Sequence, residues 1–326
     1  LTYLNFTLTM KFHYRVSGKN KYMSFAFKVI LKRNIYSFLL LVLFIIPVNS
    51  FAQGDGLNAH PALWKAEQGS SQIYFLGSIH LLPGDVKWYG DSIEEILETA
   101  DEVVFEVDMT PEKEAHAQRL TLANGLLAGG DLLSNYLTEE EYSYLIEQAI
   151  IAGIPSAAIA NFKPWFASIA LSVSAIIREG WDPNSGVDKH IQKVARENNI
   201  KISALETLEE QLATLYDHPL DVQATMLKDT LEQLKDIRSI TMEMVGSWTS
   251  GDEDKMREIF IEPMKEQPEL FAKLVVKRNN NWLPVIEELI EKNQTTFVVA
   301  GAAHFIGDEG VINLLRQKGY DVVRVQ

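Results

Sequence analysis

The sequence predicts an α/β (α+β) fold: a central mixed, partly parallel sheet flanked by helices, with large helical insertions. Three observations point there. Short apolar runs bounded by turn residues read as strands at 62–67, 73–76, 102–107, 200–205, 296–300 and 321–325. Capped helical patterns separate the strands, as in strand–helix–strand units. Two stretches, about 110–180 and 207–292, carry helical patterns only.

Ahead of the first strand, Met23 is followed by Lys28, Lys32 and Arg33, then by an apolar run from Ile35 to Ile46 and small residues at Ser50 and Ala52. That layout is a signal peptide over about 23–52, with cleavage after Ala52. The run of about 12 residues falls short of the roughly 20 that a spanning helix needs. The expectation is therefore an exported protein, periplasmic or extracellular, with no stable membrane span after cleavage. Residues 1–52 are extension and signal, and 53–326 one domain. Residues 1–52 hold seven Lys/Arg and no Asp/Glu, so cleavage takes the net charge from −14 to −21. Such acidity excludes nucleic acid as a partner, because phosphate binding needs basic patches. With no cysteine, disulfides, thiolate metal sites and a Cys nucleophile are excluded as well.

In chain order, 62–67 and 73–76 form a hairpin across Gly69-Ser70-Ser71, and Gly77-Ser78-Ile79-His80 ends the second strand. A capping box at Ser92-Ile93-Glu94-Glu95 starts a helix to about Ala100. The strand 102–107 is almost wholly apolar and is expected to be buried on both faces. His80 and Glu106 thus lie at the C-terminal ends of two parallel strands, the edge where open α/β sheets bind ligands. Glu106, between Phe105 and Val107, must be paired, hydrogen-bonded or on a metal. A second capping box (Thr138–Glu141) opens a helix to about Ala152, and Lys163-Pro164-Trp165 opens an apolar one to Ile177. A polar loop covers 178–186 and a helix 187–198. The strand 200–205 delivers Glu206 to its C-terminal end, followed by a third capping box at Thr207–Glu210. Helices are expected at about 209–216, 221–248, 253–259, 268–280 and 282–292. The strand 296–300 then runs into a second Gly-x-x-His, Gly301-Ala302-Ala303-His304, before a helix over 308–318 and a last strand.

These residues resemble the TraB/GumN family, which includes the Tiki-type metalloproteases. The matching pieces are Leu63-Trp64-Lys65, Phe75-Leu76-Gly77-Ser78-Ile79-His80, Val104-Phe105-Glu106-Val107-Asp108, Gly186-Val187-Asp188, Leu205-Glu206-Thr207, Lys277-Arg278-Asn279-x-x-Trp282, Gly301-Ala302-Ala303-His304 and Leu315-Arg316-x-x-Gly319-Tyr320. They span about 62–326. Ser78 stands where the family usually has Thr, which keeps the hydroxyl. The resemblance implies a divalent-metal site (Mn, Co or Zn) with His80, Glu106 and His304 as ligands and Arg278 as a further active-site residue. It also implies peptidase-like chemistry, although related folds include erythromycin esterases and haem-binding ChaN-type proteins. That His304 joins His80 and Glu106 rests on this resemblance.

Two neutral imidazoles and a carboxylate leave open positions on a divalent ion, where water acidifies and becomes a nucleophile toward an amide or ester. Arg278 stabilises an oxyanion or holds Glu106. Glu206 serves as general base or as a supporting partner, and Asp188 as a helix cap or supporting carboxylate. His60, His116, His190 and His218 are explained by surface positions. Ser78 lacks the Gly-x-Ser-x-Gly elbow of a serine hydrolase. The expected partner is a peptide or small-molecule substrate. The alternative is a binding module of the same fold that holds haem, metal or a signalling peptide without turnover.

Overall fold

The computed structural model describes residues 4–16, 19–31 and 58–326. The apolar run Ile35–Ile46 and the cleavage position after Ala52 lie outside them. β1 (Leu4–Val16) and β2 (Lys19–Leu31) pair as an antiparallel hairpin, a unit by itself.

The main unit begins with a second hairpin, β3 (Leu63–Gln68) and β4 (Ser71–Ser78), turning at Gly69 with φ +62°. A short β5 (Leu82–Pro83) and α1 (Asp91–Thr99) lead to β6 (Glu102–Phe105). The first insertion carries α2 (Pro111–Gly125), α3 (Glu139–Ile151), α4 (Ser156–Ile159) and α5 (Pro164–Arg178). β7 (Trp181–Asp182) pairs with β5, and α6 (Val187–Glu197) precedes β8 (Lys201–Ala204). The second insertion contains α7 (Leu208–Tyr216), α8 (Leu220–Gln233), α9 (Ile237–Thr249), α10 (Glu253–Met256), α11 (Pro268–Phe271) and α12 (Lys277–Ile290). β9 (Thr295–Gly301), α13 (Val311–Gln317) and β10 (Val322–Arg324) complete the unit.

The six-stranded sheet has the order β10-β3-β4-β9-β6-β8. β4, β9, β6 and β8 are parallel; β3 is antiparallel to both β4 and β10. The sheet is mixed and partly parallel, as the sequence predicts. β9, the last of the parallel strands in sequence, lies between β4 and β6. Its Phe297, Val298, Val299 and Ala300 are fully buried, and so are Val103, Val104 and Phe105 of β6. Strands covered on both faces read as continuous apolar runs, which is how both segments read. Among the described residues no helix is long and apolar enough to cross a membrane.

Some boundaries differ from expectation. The Ser92 capping box does not form: α1 starts at Asp91 with Gly90 as its N-cap, and Gly90 carbonyl oxygen accepts from Ile93 and Glu94. The boxes at Thr138 and Thr207 do form, each with both reciprocal bonds. The helix expected over 221–248 is broken by a 3-10 turn at Leu234–Asp236. The two helices expected at 268–280 and 282–292 run together instead, with Pro284 inside α12. Tertiary anchoring overrides weak local propensity there, since Arg278, Asn279 and Trp282 are all buried. Two stretches are π-helical, Arg257–Ile261 and Ala272–Val276. The loop 178–186 is not wholly polar surface, because β7 buries Trp181.

Candidate active site

Sheet register sets the site. Gly77 of β4 pairs with Ala300 of β9, and Phe105 of β6 with Val299. The chain therefore leaves three adjacent parallel strands at one level, toward His80, His304 and Glu106. β8 adds the fourth: Glu206 N–H donates to Glu106 carbonyl oxygen (3.0 Å), continuing the β6–β8 pairing past both strand ends. His80, Glu106, Arg278 and His304 line one cavity of about 90 Å³, and Glu206 stands behind Arg278.

Close backbone approach explains the glycines. A Cβ on Gly77 would stand 2.9 Å from Ala302 Cα, and one on Gly186 2.1 Å from His80 carbonyl oxygen. Gly77 thus lets the two Gly-x-x-His arms touch, and Gly186 lets the start of α6 close onto the His80 arm, where Val187 N–H donates to Ile79 carbonyl oxygen (3.0 Å).

Each histidine is oriented by its own partner. Asp188, in the first turn of α6, bonds His80 Nδ1 through Oδ2, and its Oδ1 accepts from Ser78 hydroxyl at 2.6 Å. Asp188 is thus a supporting carboxylate, and the Ser78 hydroxyl serves to hold it. Burial works against a charged His80, but Asp188 outweighs it and the pKa is raised. His304 Nδ1 lies 2.6 Å from Asn279 Oδ1. Asn279 Nδ2 donates to the carbonyls of His304 (3.3 Å) and Glu309 (2.7 Å). The Asn279 oxygen must therefore face the ring, His304 carries its proton on Nδ1, and Nε2 presents a lone pair. Burial, then the Arg278 guanidinium, push the His304 pKa down to about 3. The ring is neutral.

Glu106 is 5% exposed. Its Oε1 accepts from Gly301 N–H (2.7 Å), and its Oε2 from Arg278 Nη2 (2.6 Å) and Gln211 Nε2 (2.7 Å). Burial alone would raise its pKa; Arg278, His304 and His80 bring it to about 2 instead. All five Arg278 donors are engaged. Nε faces both Glu206 oxygens at 3.1 and 3.0 Å, and Nη2 reaches Glu206 Oε1 (2.5 Å) as well as Glu106. Nη1 reaches Leu274 carbonyl oxygen (3.2 Å) and His304 Nε2 (2.8 Å). The guanidinium also stacks on Trp282, 4.7 Å from the ring centre. Burial opposes its charge, yet Glu106 and Glu206 raise its pKa. Glu206 also accepts from Trp282 Nε1 (3.2 Å), and burial raises its pKa despite Arg278. Arg278 thus holds Glu106, and Glu206 in turn holds Arg278.

Two side chains escaped sequence reasoning, Gln211 and the orienting Asn279. Each interrupts an apolar helical stripe: Leu208, Gln211, Leu212, Leu215 on α7, and Asn279, Trp282, Ile286 on α12. A polar residue at such a position is the signal that identifies both. Gln211 Oε1 has no hydrogen-bond partner. Among the remaining histidines, a surface position does not explain His190 or His218. His190 is half-buried against Trp88 and Tyr89, and His218 Nε2 bonds Thr214 carbonyl oxygen at 2.9 Å.

The donor set suits a divalent cation in kind, since imidazole nitrogen and carboxylate oxygen favour Mn, Co or Zn. Glu106 Oε1 and His304 Nε2 stand 3.9 Å apart, a spacing that two ligands at about 2.1 Å from one ion can span. Among the described residues no three His, Asp or Glu side chains are already drawn into a ligand cage; Arg278 Nη1 meets the His304 lone pair.

Comparison with known proteins adds the following. The model of the TraB/PrgY/gumN family matches residues 62–324. An uncharacterized protein of Treponema pallidum is 23% identical over 303 residues, 86% of this chain and 90% of that protein. The uncharacterized protein YbaP of Escherichia coli is 23% identical over 257 residues, 78% of this chain and 92% of its own length. Metalloprotease TIKI2 of Danio rerio is 38% identical over 55 residues, 16% of this chain and 11% of that protein. No solved structure gives a significant match.

Proposed function

The chain belongs to the TraB/PrgY/gumN family, and from that premise we propose that it is an exported, divalent-metal-dependent hydrolase of amide or ester bonds, peptidase-like in its chemistry. One observation carries this reading: an ionised carboxylate and two separately oriented imidazoles line one cavity at the C-terminal edge of the parallel strands. The short match to a metalloprotease supports it.

His80, Glu106 and His304 would hold Mn, Co or Zn, which supplies Lewis acidity to a water and to a substrate carbonyl. Glu106 stays ionised down to about pH 2, so its charge is available throughout the neutral range. His304 keeps its proton on Nδ1, and its Nε2 lone pair, which accepts from Arg278 Nη1 at 2.8 Å, would pass from Arg278 to the ion. Arg278, fully engaged in hydrogen bonds, positions Glu106 and His304 and contributes its charge through space. Glu206 and Trp282 hold Arg278 in that pose. Asp188 bonds His80 Nδ1 and so leaves His80 Nε2 for the ion.

Turnover of a peptide library tests the reading. Activity is expected to vanish with chelator, to return with manganese, cobalt or zinc, and to be abolished by His80→Ala and by His304→Ala. Full activity in both variants would place the chemistry elsewhere. A binding module without turnover predicts saturable metal or peptide binding and no product. A cavity of about 90 Å³ weighs against haem, because pockets for drug-sized ligands measure about 300–1,000 Å³.

A further inference from the structure

Leu208, Leu212 and Leu215 fix α7 in a buried apolar cluster with Val107 and Trp165. Gln211 interrupts that stripe. It lines the cavity with Glu106, Arg278 and His304 and is only 6% exposed. Its Nε2 donates to Glu106 Oε2 at 2.7 Å. Glu106 stays ionised down to about pH 2, so it can only accept. A flipped amide would set oxygen against oxygen. Nε2 therefore faces Glu106, and Oε1 is the atom left over.

Oε1 is buried without a hydrogen-bond partner. Donors that share the cavity lining are committed elsewhere. Thr214 hydroxyl donates to the carbonyl oxygen of Gln211 itself (2.6 Å), Ser78 hydroxyl to Asp188, and Gly301 N–H to Glu106. Arg278 is fully engaged with Glu106, Glu206, His304 and Leu274. A buried acceptor without a donor is rare in folded proteins and calls for a partner. Oε1 belongs to the same small planar amide as Nε2, so a donor that meets it stands beside Glu106. An amide carries such a donor next to its carbonyl; an ester in the same place carries only acceptors.

We propose that Gln211 is a specificity-determining residue: Nε2 holds Glu106, and Oε1 accepts the N–H beside the carbonyl of a bound amide. The site thereby distinguishes an amide from the isosteric ester. This rests on the hydrolase reading for the carbonyl and on Gln211 alone for the N–H.

The test uses the full chain, with and without manganese, titrated with three small probes and followed by NMR. N-methylacetamide carries the N–H, methyl acetate is its isosteric ester, and N,N-dimethylacetamide keeps the amide carbonyl without the N–H. One hydrogen bond to Oε1 should make N-methylacetamide bind about 2–10-fold tighter than either of the others. Gln211→Met should shrink the amide-to-ester affinity ratio by that same factor, about 2–10-fold. A residue that merely holds Glu106 would weaken all three probes alike and leave the ratio unchanged, as would an Oε1 that takes a water; an unchanged ratio overturns the assignment. Failure of all three probes to saturate would overturn it too. If Gln211→Met does not fold, the wild-type series decides: equal binding of the three probes refutes the role. Turnover of the peptide library separates the two readings. A ratio that falls in Gln211→Met, without turnover of any peptide, supports Gln211 and removes the hydrolase. Turnover with an unchanged ratio keeps the hydrolase and removes this role for Gln211.

Discussion

Replacing Arg278 by Met tests the electrostatic logic of the site directly. The substitution keeps an unbranched apolar stem and deletes the cation that faces two buried carboxylates, Glu106 and Glu206. Arg278 is the leading favourable cause that holds the Glu106 pKa at about 2 rather than 4.5. At 1.36 kcal/mol per pKa unit that difference is worth about 3 kcal/mol. Breaking a buried pair by removing one partner costs about 3–5 kcal/mol by independent measure, so the two agree. The pH dependence has a definite sign. In the wild type Glu106 has a depressed folded pKa, so its contribution is complete above about 4.5 and is lost as pH falls toward about 2. In the variant burial dominates and raises that pKa. The penalty is then complete at neutral pH and is relieved on acidification. Glu206, already raised in the wild type, moves in that same direction. Urea unfolding in chelator, followed by tryptophan fluorescence, should show the variant about 3–5 kcal/mol less stable at pH 7, with a clearly smaller gap near pH 4.5. Arg278→Lys keeps the charge without the fork and should fall between. A gap below about 1 kcal/mol at pH 7, or one that does not change with pH, would refute the argument.

Three further outcomes are expected. Gly186→Ala places a Cβ 2.1 Å from His80 carbonyl oxygen and should destabilise by at least about 1–3 kcal/mol, read as a lower melting temperature; an unchanged melt would mean that the α6 clasp on the His80 arm is loose. Asp188→Asn removes the group that raises the His80 pKa against burial, so NMR titration of the His80 ring should show a lower value than in wild type, and an equal or higher value would contradict that cause. Asn279→Ala frees the His304 ring, and manganese affinity by calorimetry should fall about 10–100-fold; unchanged affinity would remove His304 from the proposed ligand set.

Much of the fold was legible because the central strands are buried on both faces. Residues 103–105 and 297–300 are apolar without interruption, and only a strand covered on two sides demands that. Glu106 was legible for the complementary reason, since a carboxylate after Phe105 has no apolar explanation. Position within the sheet was not legible. Nothing local says that β9, almost 190 residues after β6, inserts between β4 and β6; that follows from the long-range pairing of Val299 with both Leu76 and Phe105. Helix breaks failed for a related reason. Asn279, Asn280, Asn281 and Pro284 look locally like a stop, yet the anchoring of Arg278, Asn279 and Trp282 holds one continuous helix through them.

The two Gly-x-x-His arms look alike in sequence and differ in what holds their rings. His80 leans on a carboxylate from α6, His304 on an amide from α12. An aspartate at position 279 would still accept from His304 Nδ1, but it would lose both donations to the carbonyls of His304 and Glu309. It would also favour a second proton on Nε2, and that proton would face Arg278 Nη1 at 2.8 Å, cation against cation. Only a side chain that donates and accepts at once can hold the ring, the backbone turn and the neutral tautomer together. The amide on the His304 arm and the carboxylate on the His80 arm are therefore not interchangeable, because Arg278 Nη1 bonds the His304 ring while Asp188 raises the His80 pKa. Burial, then the guanidinium, keep His304 neutral, while Asp188 raises the His80 pKa against burial.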